Sequence, residues 1–395
     1  MTLSRSIENP VHLLLPRSAY IHVPFCVHRC GYCDFTLVAG KDHLIDDYLT
    51  TLELELNDRR AWGEFADQKQ RIPLDTLYFG GGTPTHLSPD ELQRLFKIVF
   101  KYFDLADDAE FTVEANPVDL TDDKIAVLTE VGVNRISLGV QAFEKSALDI
   151  LERDHTHETI IDGMNRLQRR IDNVSLDLIF AIPGQSLDQW RSTLSEAVAL
   201  APTHLSTYCL TFEKGTSFHT RLQQGNLREA DDDLQRDMYA EVMDFLPAHG
   251  YSQYEISSFA KPGCRSQHNQ VYWSGRGYFG FGPGAARYLN GVRETNHRGV
   301  SSWLKNVSAG ESGTADREQL SDKDRAHERL ILGLRQIDGI NIEQFSQETG
   351  YTLSELTGTA TNKLIAAGHL ERQDTTLRLT KEGRFFADSV TLELM

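Results

Sequence analysis

Three cysteines fall within eight residues in Cys26-Val27-His28-Arg29-Cys30-Gly31-Tyr32-Cys33, directly after the apolar run Ala19-Tyr20-Ile21-His22-Val23. Thiolates on one tight loop can hold three corners of an iron–sulfur cube, whose four irons normally take four protein thiolates. The other cysteines, Cys209 and Cys264, stand far along the chain. The fourth iron of such a cube would keep a position open to a small molecule. Zinc is the alternative, with His22, His28 or His43 as a fourth ligand, and a Cys-x-x-Cys pair can also be redox-active. Zinc sites usually draw their cysteines as two separated pairs, so a single three-thiol loop suits them poorly. The polar His28, Arg29 and Asp34 argue against three inert, buried thiols. The cluster reading leads.

Further chemistry is spaced along the chain. Gly80-Gly81-Gly82-Thr83-Pro84 follows an apolar run and would let backbone groups approach a ligand closely, since glycine has no side chain to hold it off. A bulky residue at Gly81 or Gly82 is then expected to block the ligand and spare the cluster. Glu114, Gln141, Asp177 and Cys209 end other apolar runs. Each could equally be a satisfied buried polar group. His268-Asn269-Gln270-Val271-Tyr272-Trp273 combines an imidazole, able to ligate heme iron, with flat aromatic faces. Alone, such a segment is more often a core-packing turn.

The elements that must position these residues alternate. Strands are expected over 19–23, 74–79, 110–114, 135–140, 174–180 and 204–210. Helices are expected over 41–61, from Ser88 as N-cap with Pro89 in the first turn, and over 121–131, 157–170 and 187–200. Six such units imply a parallel sheet. The polar residues collect at strand C-terminal ends, which favours an open partial (β/α)6 barrel of the TIM type over a doubly wound sheet. Beyond it, 215–246 reads as polar helix and 251–259 as strand, and a Gly-rich stretch covers 275–284. A surface linker is expected over 308–324. Helices over 325–334, 341–349 and 353–367, a hairpin of 369–372 with 377–380 and a last helix from Lys381 make a smaller, mostly helical, winged-helix-like unit. The expected division is an N-terminal segment 1–18, barrel 19–215, extension 216–307, and linker with C-terminal domain 308–395.

Composition excludes several partners. The chain has 395 residues and a net charge of −17, which argues against nucleic acid and anionic membrane surfaces, both of which need a basic face. No apolar run approaches the roughly 20 residues of a membrane span. The stretch Met1 to Pro16 has a short apolar Val11-His12-Leu13-Leu14-Leu15 without a signal-peptide core. Five cysteines, three of them clustered, make no disulfide framework. A reducing, cytoplasmic location is expected.

The Cys-x3-Cys-x2-Cys spacing resembles that of the radical S-adenosylmethionine (SAM) superfamily, in which the open iron chelates the amino and carboxylate groups of SAM. The glycine run resembles the superfamily's motif beside the SAM methionine. Tyr20-Ile21-His22-Val23-Pro24-Phe25-Cys26, Phe79 to Pro84 and Ile182-Pro183-Gly184-Gln185 are similar to the oxygen-independent coproporphyrinogen oxidase group, from about Ala19 to the C-terminal helices. This resemblance implies a [4Fe–4S] cluster on Cys26, Cys30 and Cys33. It implies SAM contacts from Tyr20, Gly81, Gly82, Thr83, Glu114, Gln141, Arg153 and Asp177, with Arg153 suited to the carboxylate and Asp177 or Glu114 to the ribose. Cys209 would only line the pocket. Within the group, the oxidase class has a further Cys where this chain has Phe35. The heme-chaperone class has Phe there and an H-N-x-x-Y-W motif, which His268 to Trp273 match. That class implies heme as a ligand, with His268, Tyr272 and Trp273 as contacts, acceptor hemoproteins such as respiratory-chain proteins as partners, and a homodimer when heme-loaded. No catalytic residue is assigned. One departure stands out: related sequences often have a His in the segment matching Gly282-Pro283-Gly284-Ala285-Ala286-Arg287. The rival is an enzyme that decarboxylates coproporphyrinogen III by radical chemistry. A zinc-binding or structural protein is the third reading.

Overall fold

The computed structural model describes residues 15–68 and 70–395; the expectations for the first fourteen residues lie outside that range. Six strands form the parallel sheet in chain order: β1 (Ser18–Val23), β2 (Ile72–Gly81), β3 (Phe103–Ala115), β4 (Arg135–Gln141), β5 (Asn173–Phe180) and β6 (His204–Cys209). Helices α1 (Ile45–Asn57), α2 (Pro89–Val99), α3 (Asp122–Glu130), α4 (Lys145–Ile150), α5 (His157–Leu167) and α6 (Leu187–Ala199) alternate with them. This is the partial (β/α)6 barrel expected from the alternation.

Local signals place the helices. Ser88 caps α2 by accepting from the Glu91 amide while the Glu91 carboxylate accepts from the Ser88 amide, with Pro89 in the first turn. Ser186 and Gln189 cap α6 in the same way. Strand alternation then separates two faces. Leu77, Phe79, Phe111, Val113, Ile136, Leu138, Leu176 and Leu205 are buried in the hydrophobic core. The alternate positions are polar, and register aligns them across strands: Tyr20 with Tyr78, Glu114 with Ser137, Gly139 with Asp177, and Asp177 with Ser206. The barrel interior is therefore a row of hydrogen-bonding groups inside an apolar shell.

The segment after β6 adds to this sheet. Helices α7 (Ser217–Gln223) and α8 (Asp232–Ala248) lead to the short strands β7 (Ser252–Gln253) and β8 (Ser258–Ala260). Thus 251–259 is two strands around a turn. β8 pairs antiparallel with β6, and β7 with β8. Helix α9 (Gln267–Trp273) follows, and β9 (Phe279–Phe281), inside the Gly-rich stretch, lies parallel beside β1. The sheet has nine strands, in the order β9-β1-β2-β3-β4-β5-β6-β8-β7.

The linker expected over 308–324 is structured instead. Strands β10 (Ala286–Leu289), β11 (Val292–Asn296) and β12 (Thr314–Gln319) form an antiparallel sheet, with α10 (Val300–Ser308) between the last two. Charge misled the reading of β12: its residues are mostly exposed, and backbone pairing to β11 holds it. The C-terminal unit comprises α11 (Asp322–Leu334), β13 (Ile340–Asn341), α12 (Ile342–Thr349), α13 (Leu353–Thr357), α14 (Ala360–Ala366), β14 (Leu370–Gln373), β15 (Thr376–Leu379), α15 (Lys381–Phe385) and α16 (Ala387–Leu394). The single helix expected over 353–367 is divided at Gly358. The unit packs round its own core of Leu330, Leu334, Phe345, Leu364 and Leu377. No helix among the described residues is long and apolar enough to cross a membrane.

Candidate functional site

A cavity of about 1140 Å³ opens at the C-terminal ends of the barrel strands and runs to the C-terminal unit. At one end lies the cysteine loop. Phe25–Cys26 pairs with Val38–Ala39, and the Phe25 carbonyl accepts from the Thr83 amide, so the loop is stitched to the glycine turn after β2. Cys26, Cys30 and Cys33 are free thiols on the cavity wall. Burial pushes the Cys26 thiol up to about 11, with Cys33 and Cys30 among its charged neighbours. Burial also raises Cys33. Thiols held protonated by burial become ligands when a metal displaces the proton. Cys209 lines the cavity too, but its Sγ contacts Gln235 Oε1 at 3.3 Å, and the other thiols are not among its charged neighbours. Cys264 is outside the cavity wall.

The donor set fits a cube with one open corner better than a single zinc ion. Among the described residues, no group of three His, Cys, Asp or Glu stands close enough to hold one ion. Of the candidate histidines, His28 inside the loop lies with Nε2 3.3 Å from Glu152 Oε2, and His22 is engaged at both nitrogens: Nε2 lies 2.6 Å from the Thr36 carbonyl and Nδ1 3.1 Å from the Tyr20 hydroxyl.

Beside the thiols, Arg153 donates through Nη2 to Asn116 Oδ1 at 2.6 Å and the Gly139 carbonyl at 3.1 Å. Its Nη1 stands 3.7 Å from Cys30 Sγ, and its buried Nε has no acceptor. A buried donor without a partner is rare in folded proteins, and the side chain that carries this one lines the cavity. Glu114 accepts from the Gly81 amide at 2.9 Å and the Tyr78 hydroxyl at 2.8 Å. Burial nevertheless pushes its carboxyl up to about 7, so it is ready to become a carboxylate opposite a cation. Asp177 is also raised by burial, against the Ser137 hydroxyl, which donates at 2.9 Å. Gln141 lines the cavity from a left-handed backbone, φ 65°, where the β4–β5 register shifts. Glu152 and Ala181, at φ 56° and 61°, are held likewise. Backbone of this kind costs of order 1–3 kcal/mol per residue and gathers at functional sites.

Three expected residues do something other than line the cavity openly. A Cβ on Gly81 would stand 2.4 Å from the His22 ring, and one on Gly82 2.7 Å from the Phe25 carbonyl oxygen. The glycines make room for the cysteine loop as well as for any ligand, so substitution would not spare the cluster. Tyr20 lies beneath the cavity, donating to His22.

His268 also lies apart from the cavity. Its Nδ1 is 2.8 Å from Thr76 Oγ1, its Nε2 2.8 Å from the Tyr272 hydroxyl, and its ring stacks on Tyr78 at 5.0 Å. Burial lowers it to about 3. Glu110 fixes the start of α9 by accepting from the amides of Gln267 and His268. The imidazole is engaged at both nitrogens, as an anchoring side chain is. Asn269, next in sequence, does line the cavity. Trp273 packs under Arg335 of the C-terminal unit, 4.9 Å from ring centroid to guanidinium.

Sequence reasoning missed Asn116, Arg135, Ser137 and Ser206, all on the wall. For three of them the signal was there: Asn116 stands two residues from Glu114, and Ser137 and Ser206 face Glu114 and Asp177 across the register, so strand alternation puts them on the same side; Arg135 has no such neighbour.

Family models agree with this architecture: the Radical SAM superfamily matches residues 20–197 and the HemN C-terminal domain residues 320–386. "Heme chaperone HemW" of Bacillus subtilis (strain 168) is 36% identical over 376 residues, 95% of this chain and 98% of that one. This chain belongs to the HemW family. "Heme chaperone HemW" of Lactococcus lactis subsp. lactis (strain IL1403) is 38% identical over 93% of this chain and 94% of its own. Among solved structures, coproporphyrinogen III oxidase (HemN) from Escherichia coli, described as a radical SAM enzyme, superposes with a TM-score of 0.83. That match covers 96% of this chain and 90% of the oxidase at 22% identity, and so shows the shared fold alone.

Proposed function

We propose that this HemW-family chain is a cytoplasmic heme chaperone that binds a [4Fe–4S] cluster, SAM and heme, and delivers heme to acceptor hemoproteins, including respiratory-chain proteins. The observation that carries the cofactor part is the meeting of three free thiols with the unpartnered Nε of Arg153 at one end of one cavity. Cys26, Cys30 and Cys33 would hold the cluster, which supplies an iron with one position open to SAM. Glu114 would face the cationic amino group, Arg153 the carboxylate, and Asp177 and Gln141 the ribose and its surroundings. The names of the relatives support the heme part.

The fold shared with the Escherichia coli oxidase favours a second reading, decarboxylation of coproporphyrinogen III. Phe35 opposes it. Where the oxidase class has another Cys, this chain places an apolar ring, 59% exposed, at the cavity wall. Anaerobic incubation of reconstituted protein with coproporphyrinogen III, beside a heme titration, separates the two. The chaperone reading expects heme binding without protoporphyrinogen; steady protoporphyrinogen formation would overturn it.

A further inference from the structure

The cavity has a second end. Away from the cysteine loop its wall carries Tyr208 of β6, Tyr239 of α8, Arg335 after α11, Arg384 of α15 and Phe386. Four arginines on the wall have a buried Nε–H without an acceptor: Arg135 and Arg153 in the barrel, and Arg335 and Arg384 in the C-terminal unit. Arg153 belongs to the cofactor end, and Arg135, the first residue of β4, stands 3.9 Å from Glu110 Oε2. The pair in the C-terminal unit has no role at the cofactor end.

Arg384 donates to a neutral amide oxygen, Gln253 Oε1 at 2.9 Å, and makes no ion pair among the described residues. Arg335 rests on the Trp273 ring and reaches Asp388 Oδ1 at 3.4 Å, a carboxylate 93% exposed and therefore well screened. Gln253, the acceptor of Arg384, donates to the Tyr239 hydroxyl at 3.0 Å, and Tyr239, Arg335 and Arg384 share the cavity wall. Arg335 also has the buried Glu255 carboxylate as a charged neighbour, so Arg384 is the cation of the two without an ion-pair partner; such a partly buried cation is costly unless a ligand supplies the negative charge, and planar guanidinium groups match carboxylates in shape and donor spacing. Two large side chains, Tyr208 and Phe386, expose apolar faces on this part of the wall, beside the acidic Asp232, Asp233 and Asp388. Exposed apolar groups gathered in one concavity mark a binding surface.

We propose that this second end is the tetrapyrrole seat, with Arg335 and Arg384 receiving the two carboxylates of a flat apolar macrocycle whose faces lie against Tyr208 and Phe386. The assignment rests on the heme reading above and gives it a location. Trp273 then enters as a positioning residue that backs Arg335, which links the His268–Trp273 helix to heme without iron ligation.

The test is an absorbance titration of the full chain, cluster loaded, with hemin and with its dimethyl ester, in wild type, Arg384→Gln and Arg335→Gln. Each variant should bind hemin about tenfold or more weakly, as loss of a charge-assisted hydrogen bond implies. Melting temperature and iron content should hold. The ester should bind wild type weakly and the variants no worse. Unchanged hemin affinity in both variants, or equal loss for hemin and ester, would overturn the seat while leaving heme binding intact. Absence of hemin binding by wild type would overturn the heme reading and the seat together.

Discussion

The mouth of the barrel and helix α9 carry comparable sets of polar residues and use them in opposite ways. At the mouth, three thiols are free, Arg153 Nε lacks an acceptor, and Gln141 is held in left-handed backbone facing the cavity. At α9, His268 is engaged at both nitrogens, and Glu110 caps the helix through the amides of Gln267 and His268. One region holds unspent hydrogen-bonding and ligating capacity beside a void; in the other the imidazole and the helix start are satisfied internally, and the buried Trp273 indole N–H is left without an acceptor. Residue type does not distinguish a ligand site from an anchor. The state of the partners does.

The sharpest way to break this contrast is at the glycine turn. Gly82→Leu should abolish cluster loading and SAM binding together, because its side chain would displace Phe25 and the cysteine loop with it. Iron and sulfide analysis after reconstitution reads the first, equilibrium dialysis with labelled SAM the second. Loss of SAM with a full cluster would return the turn to a purely ligand-side role.

A smaller effect is expected at the anchor. His268→Ala should lower stability by about 1–3 kcal/mol for each buried hydroxyl it strands on Thr76 or Tyr272, measured by urea unfolding. Cluster content and the Soret maximum of added heme should stay as in wild type. A shifted Soret band at unchanged stability would mean that His268 leaves its partners to meet iron.

The smallest effect is a slope. Burial raises Glu114 from 4.5 to about 7, so its neutral form favours folding in full below about 4.5, and that advantage is lost as pH rises to about 7. Stability of the ligand-free protein should fall across this window, and Glu114→Gln should flatten the fall. Glu55, also raised to about 7 by burial, leaves a residual slope. An unaltered slope in the variant would show that Glu114 is already ionised in the folded protein.

Much of this was legible in the residues. Apolar runs alternating with capped helices marked the six barrel strands, and the thiol spacing marked one loop whose three free cysteines share the cavity wall, because both signals are local. Strand β12 was not legible: Thr314–Gln319 is mostly exposed and owes its conformation to pairing with β11, which no periodicity announces. Nor was the double duty of Gly81 and Gly82, since the atoms crowding them belong to His22 and Phe25, over fifty residues earlier. His268 shows the same limit. Its sequence neighbours suggest a heme contact, whereas Thr76 and Tyr78, brought in by the barrel, make it an anchor.

Mössbauer spectra of the anaerobically reconstituted chain, with and without SAM, report whether three thiols hold a four-iron cluster with its fourth iron open. One iron of the four should change its signature when SAM is added, in wild type and in Cys209→Ala alike, and Cys26→Ala, Cys30→Ala and Cys33→Ala should each lose the cluster. Four irons indifferent to SAM, or a cluster that disappears with Cys209→Ala, would contradict the account.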